Sequence, residues 1–188
     1  MITLLQTRTY VLHIILYRTY VLMSIWPIML CVFEFIGINE AVIYRAALNR
    51  ALKQDLKING KYVETITADG IILATPTGST AYNLSSGGPI LTPTSSNLVI
   101  TPICSQSMPR CSIVTSGNDE IDIAIDLAIS SSTEDFPLLV IDSEERFSLQ
   151  DKDRIVIGKA HDSVKIIKVE ENSFYQVLQM KLSQARLK

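Results

Sequence analysis

The sequence predicts a mainly β (α+β) chain, a sandwich-like β domain closed by a C-terminal helix. Three features carry that expectation. Asp55–Ile58 and Lys61–Thr67 flank Asn59-Gly60, the strongest short-range hairpin signal. Glu120–Asp126 alternates, with Ile121, Ile123 and Ile125 on one face and Asp122 and Asp126 on the other, the pattern of a half-buried strand. Phe174, Val177, Leu178, Lys181 and Leu182 fall at helical spacing near the end. The chain has 188 residues, of which 47% are hydrophobic and 19% charged, so it carries enough apolar surface for one core.

In chain order, residues 1–38 stand apart as an atypical apolar N-terminal segment. Arg8 and Arg18 are its only charges before Glu34, and Thr19–Phe33 is an uncharged run interrupted by Pro27. That run is shorter than the roughly 20 residues of a spanning helix. It also lacks the basic start and small-residue cleavage site of a signal peptide. The pentapeptide RTYVL occurs twice, at Arg8–Leu12 and Arg18–Leu22, too few copies for a repeat array. Three readings stay open: a buried element, a membrane or interfacial segment over residues 9–33, and a segment foreign to the domain. Residues 39–188 form the domain proper. Asn39–Gln54 reads as helix or, at Ala41–Tyr44, as strand. Ile71–Ala74 follows Asp69-Gly70 as a short apolar strand. Leu98–Ile103 is another, with Pro102 marking an edge or a strand end. Pro137–Ile141, Arg154–Ile157 and Val164–Val169 are expected as separate strands divided by charged turns. The final helix has Asn172 or Ser173 in place to cap it.

Seventeen Lys and Arg against nineteen Asp and Glu leave a net charge of -2, without the basic face that duplex nucleic acid requires. Cys31, Cys104 and Cys111 cannot all pair within one chain and form no CxxC, so a reducing, cytoplasmic setting is the simpler expectation. Cys104 and Cys111 read as buried thiols. His13 and His161 are the only histidines, which argues against a histidine-rich metal site, and His161 reads as a surface residue between strands. Asp119, Glu120, Asp122 and Asp126 read as a solvent face.

The chemistry concentrates in Ala68–Pro93, ADGIILATPTGSTAYNLSSGGPILTP. A strand runs into Thr75–Thr80, then Ala81–Ser85, then Gly87-Gly88-Pro89. Gly78 permits close backbone approach, and hydroxyl and N–H groups around a short helical start can hold phosphate or ribose oxygens. The loop has no Lys after its glycine, no G-x-G-x-x-G and no G-x-S-x-G. A Walker loop, a Rossmann fingerprint and a hydrolase elbow are therefore excluded.

The string DGIILATPTGSTAYNLSSGGPI closely resembles the signature of NAD kinases. Flanking segments agree in order: Ile38–Ile43 with its Asn-Glu pair, Leu98–Cys104, and the acidic turn Ile141-Asp142-Ser143. The resemblance runs from about Gly37 to Leu182. It implies an NAD kinase C-terminal-like β-sandwich that binds dinucleotide. It also implies transfer of the terminal phosphoryl group of ATP, with a divalent metal (Mg2+ expected), to the 2′-hydroxyl of the adenosine ribose of NAD, giving NADP. By that resemblance Asn39 and Glu40 hold the dinucleotide, and Arg50 supplies a basic contact. Thr67 and Asp69 lie at the nicotinamide end, although Asp69 can also cap the turn with Gly70. Thr80, Ala81, Tyr82, Asn83, Leu84 and Ser85 form the binding stretch, Tyr82 offering a ring for stacking. Glu144 stands where the family commonly has Gln. The implied partners are NAD(P), ATP and further copies of the chain in a homo-oligomer, with neither nucleic acid nor a membrane.

The family's Gly-Gly-Asp-Gly motif, whose aspartate is thought to deprotonate the 2′-hydroxyl, does not occur here; the only Gly-Gly is Gly87-Gly88. No catalytic residue is therefore assigned. The chain is expected to have little or no activity alone, since loss of a general base costs about 10²–10⁴-fold. The alternatives are a non-catalytic NAD(P)-binding or assembly module and a protein anchored in a membrane through residues 9–33.

Overall fold

The computed structural model describes residues 5–20, 29–45, 51–106, 111–127, 136–168 and 173–185. Its strands form two antiparallel six-stranded sheets. The first sheet contains β1 (Leu5–Tyr20), β2 (Met29–Gly37), β4 (Leu52–Ile58), β5 (Lys61–Ala68), β9 (Ile121–Asp126) and β12 (Arg154–Lys168), in the order β2-β1-β12-β9-β4-β5. The second contains β3 (Glu40–Tyr44), β6 (Gly70–Ala74), β7 (Asn97–Ile103), β8 (Ile113–Ser116), β10 (Leu138–Ile141) and β11 (Glu145–Ser148), in the order β11-β10-β3-β6-β7-β8. A 3-10 turn at Gly78–Thr80 leads into α1 (Tyr82–Ser85), and α2 (Phe174–Ala185) closes the described chain.

The core lies between the sheets. Ile121, Ile123 and Ile125 of β9 meet Ala41 and Ile43 of β3, Ile71 and Leu73 of β6, and Leu98 and Ile100 of β7 there, all buried. β6 is buried along its whole length. Its odd residues face the core, while Ile72 and Ala74 join Val42 and Val99 in a second cluster on the outer face of the second sheet. A strand covered on both faces is apolar without alternation, which is why Gly70–Ala74 reads as a continuous run.

The hairpin forms as its turn residues require. Asn59 and Gly60 have φ of 51° and 73°, the paired left-handed conformations of a type I′ turn. β7 is an interior strand, but Pro102 sits beyond the last β8 pairing at Ile100↔Ile113. Its missing N–H therefore breaks no bond to β8, and the position is the strand end foreseen. Ser173 caps α2 as expected: its hydroxyl accepts the Gln176 N–H at 3.3 Å, and Gln176 Oε1 accepts the Ser173 N–H at 2.7 Å, a capping box.

Several expectations are corrected. Arg154–Ile157 and Val164–Val169 are not separate strands; one long strand, β12, spans Arg154–Lys168 because β1 pairs along it from Leu5↔Lys168 to Tyr17↔Arg154. His161 accordingly lies within β12, exposed. Asp122 is not on a solvent face: it is buried, and Arg154 grips its carboxylate through Nε (2.8 and 2.9 Å) and a terminal nitrogen (2.6 Å). Cys104 and Cys111 are exposed, not buried. Leu12 and Ile14 of β1 are fully buried in the main core. Among the described residues no helix is long and apolar enough to cross a membrane.

Candidate functional site

The signature segment folds over the outer face of the second sheet, where β6 ends. Thr75 starts the attachment. Its N–H donates to the Asn39 carbonyl at 2.9 Å, its hydroxyl donates to the Ile38 carbonyl at 2.7 Å, and the same hydroxyl accepts the Gly78 N–H at 3.0 Å. The chain thus turns tightly against the Asn39-Glu40 segment. A Cβ at Gly78 would sit 2.0 Å from the Asn39 carbonyl oxygen, so only glycine lets the two backbones meet.

Asn83 fastens the other end. Fully buried, it donates from Nδ2 to the carbonyls of Ser79 and Pro89, both at 3.0 Å, and its Oδ1 accepts the Thr101 hydroxyl at 2.7 Å. Ser79, also buried, donates to the Pro76 carbonyl at 2.6 Å and accepts the Leu91 N–H at 3.0 Å. These bonds leave Thr80, Ala81, Tyr82 and Ser85 on the exposed side of the segment, with Leu84 half-buried. The Tyr82 ring is 45% exposed, available for stacking.

Asn39 and Glu40 lie beneath that loop, Glu40 opposite Ala74 of β6. Their backbone is held from a third direction. The Asp142 carboxylate accepts the N–H groups of Ile38 (2.7 Å), Asn39 (2.7 Å) and Glu40 (3.0 Å), and the Asp142 N–H donates to the Glu40 carbonyl at 3.0 Å. Glu40 is 4% exposed, and its Oε2 is buried without a hydrogen-bond partner among the described residues. Burial, with the Asp142 charge second, pushes the Glu40 carboxyl up to about 7.

Thr67 and Asp69 stand at the opposite end of β6. Glu40 pairs with Ala74 and Tyr44 with Gly70, so the two groups are four strand steps apart, about 13 Å. Asp69 is tied to the end of β3: Arg45 reaches its carboxylate at 2.8 Å, and the Arg45 N–H donates to the Asp69 carbonyl at 3.0 Å. The Thr67 carbonyl accepts the Gln106 N–H at 2.8 Å. Arg50 lies outside the described residues. Glu144 is exposed on the turn that follows Asp142.

The geometry therefore joins Asn39, Glu40 and the Thr80–Ser85 stretch at one end of β3 and β6, and Thr67 and Asp69 at the other. Sequence reasoning missed Arg45 and Asp142. Asp142 carried a signal, since it sits in the acidic turn already singled out. Arg45 carried none beyond its charge. Among the described residues no group of three or more His, Cys, Asp or Glu could hold a metal ion.

The comparisons with known proteins fall on this same stretch. Residues 38–169 match the family model described as the ATP-NAD kinase C-terminal domain. The NAD kinase of Lachnoclostridium phytofermentans is 40% identical over 145 residues, 77% of this chain and 50% of that protein. The NAD kinase of Carboxydothermus hydrogenoformans is 38% identical over 151 residues, 80% of this chain and 52% of that protein. The chain thus spans about half the length of these curated relatives. Among solved structures, the yeast NADH kinase complexed with NADH superposes with a TM-score of 0.82 over 95% of this chain and 50% of that one, at 23% identity. An NAD kinase from Archaeoglobus fulgidus in complex with ATP gives 0.65 over 76% of this chain and 54% of that one, at 25% identity. Because the family match runs from the Asn-Glu segment through the signature loop to the last strand, the chain belongs to the ATP-NAD kinase C-terminal domain family.

Proposed function

We propose that this chain is the dinucleotide-binding half of an NAD kinase and receives NAD on the outer face of its second sheet. The observation that carries the reading is the junction of the signature segment with Asn39-Glu40. There a glycine admits one backbone against another, and the exposed edge of Thr80–Ser85 is left beside polar groups. Asn39, Glu40 and Tyr82 would hold one end of the dinucleotide, with Thr80, Ala81, Leu84 and Ser85 along the contact. Thr67 and Asp69 would meet the nicotinamide end, Asp69 oriented by Arg45.

The reaction of the whole enzyme would be ATP-dependent phosphorylation of the 2′-hydroxyl of the adenosine ribose. Phosphoryl transfer depends on positioning and charge stabilisation, and this chain supplies positioning of the acceptor. A divalent metal, Mg2+, would neutralise the transferred phosphoryl group when bound with ATP. The described residues offer no cluster to hold it, so its ligands would come from ATP and from elsewhere in the enzyme. A cytoplasmic homo-oligomer is part of the same proposal.

A second reading has an observation of its own. No Gly-Gly-Asp occurs in the sequence, so the chain carries the binding loop without the residue expected to act as base. A non-catalytic NAD(P)-binding or assembly module fits that fact. In a coupled assay for NADP formation from ATP and NAD, run beside calorimetric titration with NAD, turnover supports the kinase and refutes the non-catalytic module. Binding without turnover is the outcome expected of a half that lacks the base, and the module predicts it as well. A folded chain with no affinity for NAD or NADP refutes both.

A further inference from the structure

Glu40 presents an imbalance that the fold itself does not resolve. Its side chain is almost fully buried, and among the described residues Oε2 has no partner. A buried acceptor left unpaired is destabilising, and a buried unpaired charge more so. Among the described residues no cation is paired with it. β6 and β10 contain no ionisable side chain, and neither does the Thr75–Thr80 turn. Glu34 of β2 faces His13 at 3.6 Å, both partly exposed, and Glu144 and Glu145 are exposed on the turn after β10. Among the described residues the charge bonded to the segment is a second carboxylate, that of Asp142, fixed by three N–H groups from Ile38 to Glu40. Asp142 itself adopts φ of 49°, a left-handed conformation that Asp tolerates and those bonds secure.

We propose that Glu40 meets its ligand as a neutral carboxylic acid that donates a hydrogen bond, and that Asp142 is the positioning residue that keeps it in that form and place. The inference rests on the reading that this surface receives a dinucleotide. It reverses the polarity ordinarily assigned to a glutamate at a sugar, which as a carboxylate only accepts. The matching ligand atom is an uncharged acceptor: a ribose oxygen, an amide carbonyl oxygen or a ring nitrogen. Glu40 opens β3 directly after exposed Ile38 and half-buried Asn39, so a ligand atom entering between them would satisfy an oxygen that the described residues leave buried and unpaired. The two causes that raise the Glu40 carboxyl, burial and the Asp142 charge, act in the same direction as this assignment.

The test uses the full chain. Carboxyl carbon NMR follows the titration of Glu40 without ligand, and calorimetry measures NAD affinity from pH 5.5 to 8.5 for the wild type, Glu40→Gln, Glu40→Ala and Asp142→Asn. If only the acid binds, wild-type affinity falls about tenfold per pH unit above the Glu40 midpoint. Glu40→Gln, which keeps a donor at all pH values, should match the wild type at low pH and lose the pH dependence. Asp142→Asn should lower the Glu40 midpoint. A Glu40→Gln chain that binds as weakly as Glu40→Ala, or wild-type affinity that is flat or rises with pH, overturns the donor assignment. An unchanged midpoint in folded Asp142→Asn overturns the positioning role. If the folded wild type binds no NAD at any pH, the functional reading fails, whereas the NMR titration still decides the role of Asp142.

Discussion

Asn83 and Tyr82 are neighbours in the signature segment with separable duties. Replacing Asn83 with Ala removes a side chain that serves Ser79, Pro89 and Thr101, all within a buried network. Stranding those groups should cost about 2–4 kcal/mol of stability, read from urea unfolding. Tyr82→Ala removes an exposed ring and should change stability by less than about 0.5 kcal/mol. Its effect belongs to binding, a loss of roughly 1–2 kcal/mol in NAD affinity if the ring stacks on a base. The sequence made the segment recognisable but could not divide it in this way, because both residues match the same motif. The division depends on which side chain the β7 hydroxyl of Thr101 meets, a contact across 18 residues. Glu40 offers a second residue-scale prediction. Its carboxyl titrates near 7 in the fold against an ordinary 4.5, so between those values the folded chain holds the extra proton. Stability should therefore fall as pH rises through that window, by up to about 3 kcal/mol, and level off above it. Glu40→Gln should flatten this part of the profile, measured by denaturation at pH 5, 6, 7 and 8.

At the scale of elements, the signals that succeeded were local ones. Asn59-Gly60 specified a turn, and the turn specified the pairing of β4 with β5. Asn59 also reaches the next strand: its Nδ2 donates to Asp119 at 2.8 Å, and its Oδ1 accepts the Glu120 N–H at 2.9 Å. Asp119 in turn takes hydrogen bonds from Thr115 and the Ser116 N–H. The acidic group before β9 is therefore a clasp between turns. Asn59→Gly keeps a residue at ease with positive φ but cuts the clasp, and should cost about 1 kcal/mol. Gly60→Ala meets no atom within 4 Å, yet places a Cβ at φ of 73°, for a similar cost of about 1 kcal/mol from the backbone alone. Thermal unfolding of the two variants and their double mutant should give additive losses if these mechanisms are independent. The signals that failed were non-local. Charge at Asp122 pointed to solvent because its Arg154 partner lies 32 residues away. The break expected inside β12 vanished because pairing with β1 carries that strand through its polar residues.

For the whole molecule, the question is how residues 1–38 relate to the sandwich. Their composition gave no answer, since apolar residues suit a core strand, a membrane and a foreign segment alike. Pairing and burial distinguish among the described residues. β1 lies between β12 and β2, with Leu12 opposite Lys159 on one side and Gly37 on the other. Leu12 and Ile14 are 0% exposed within the core, while Ile36 of β2 is 65% exposed. If β1 is integral to the domain, Leu12→Ala opens a cavity in the shared core and should cost about 2–4 kcal/mol. Ile36→Ala, an equally apolar truncation at an exposed position of β2, the strand beside β1, should stay within about 0.5 kcal/mol. The measurement is the shift in the urea midpoint at constant slope, so that the change reports stability rather than a different unfolded state. NAD affinity in the folded Leu12→Ala chain should match the wild type, because β1 is separated from β5, the first-sheet strand that carries Thr67, by β12, β9 and β4, and the other candidate site residues belong to the second sheet and its loops. Equal, small shifts for both variants would place the N-terminal segment outside the cooperative unit and leave residues 39–188 as the folding domain.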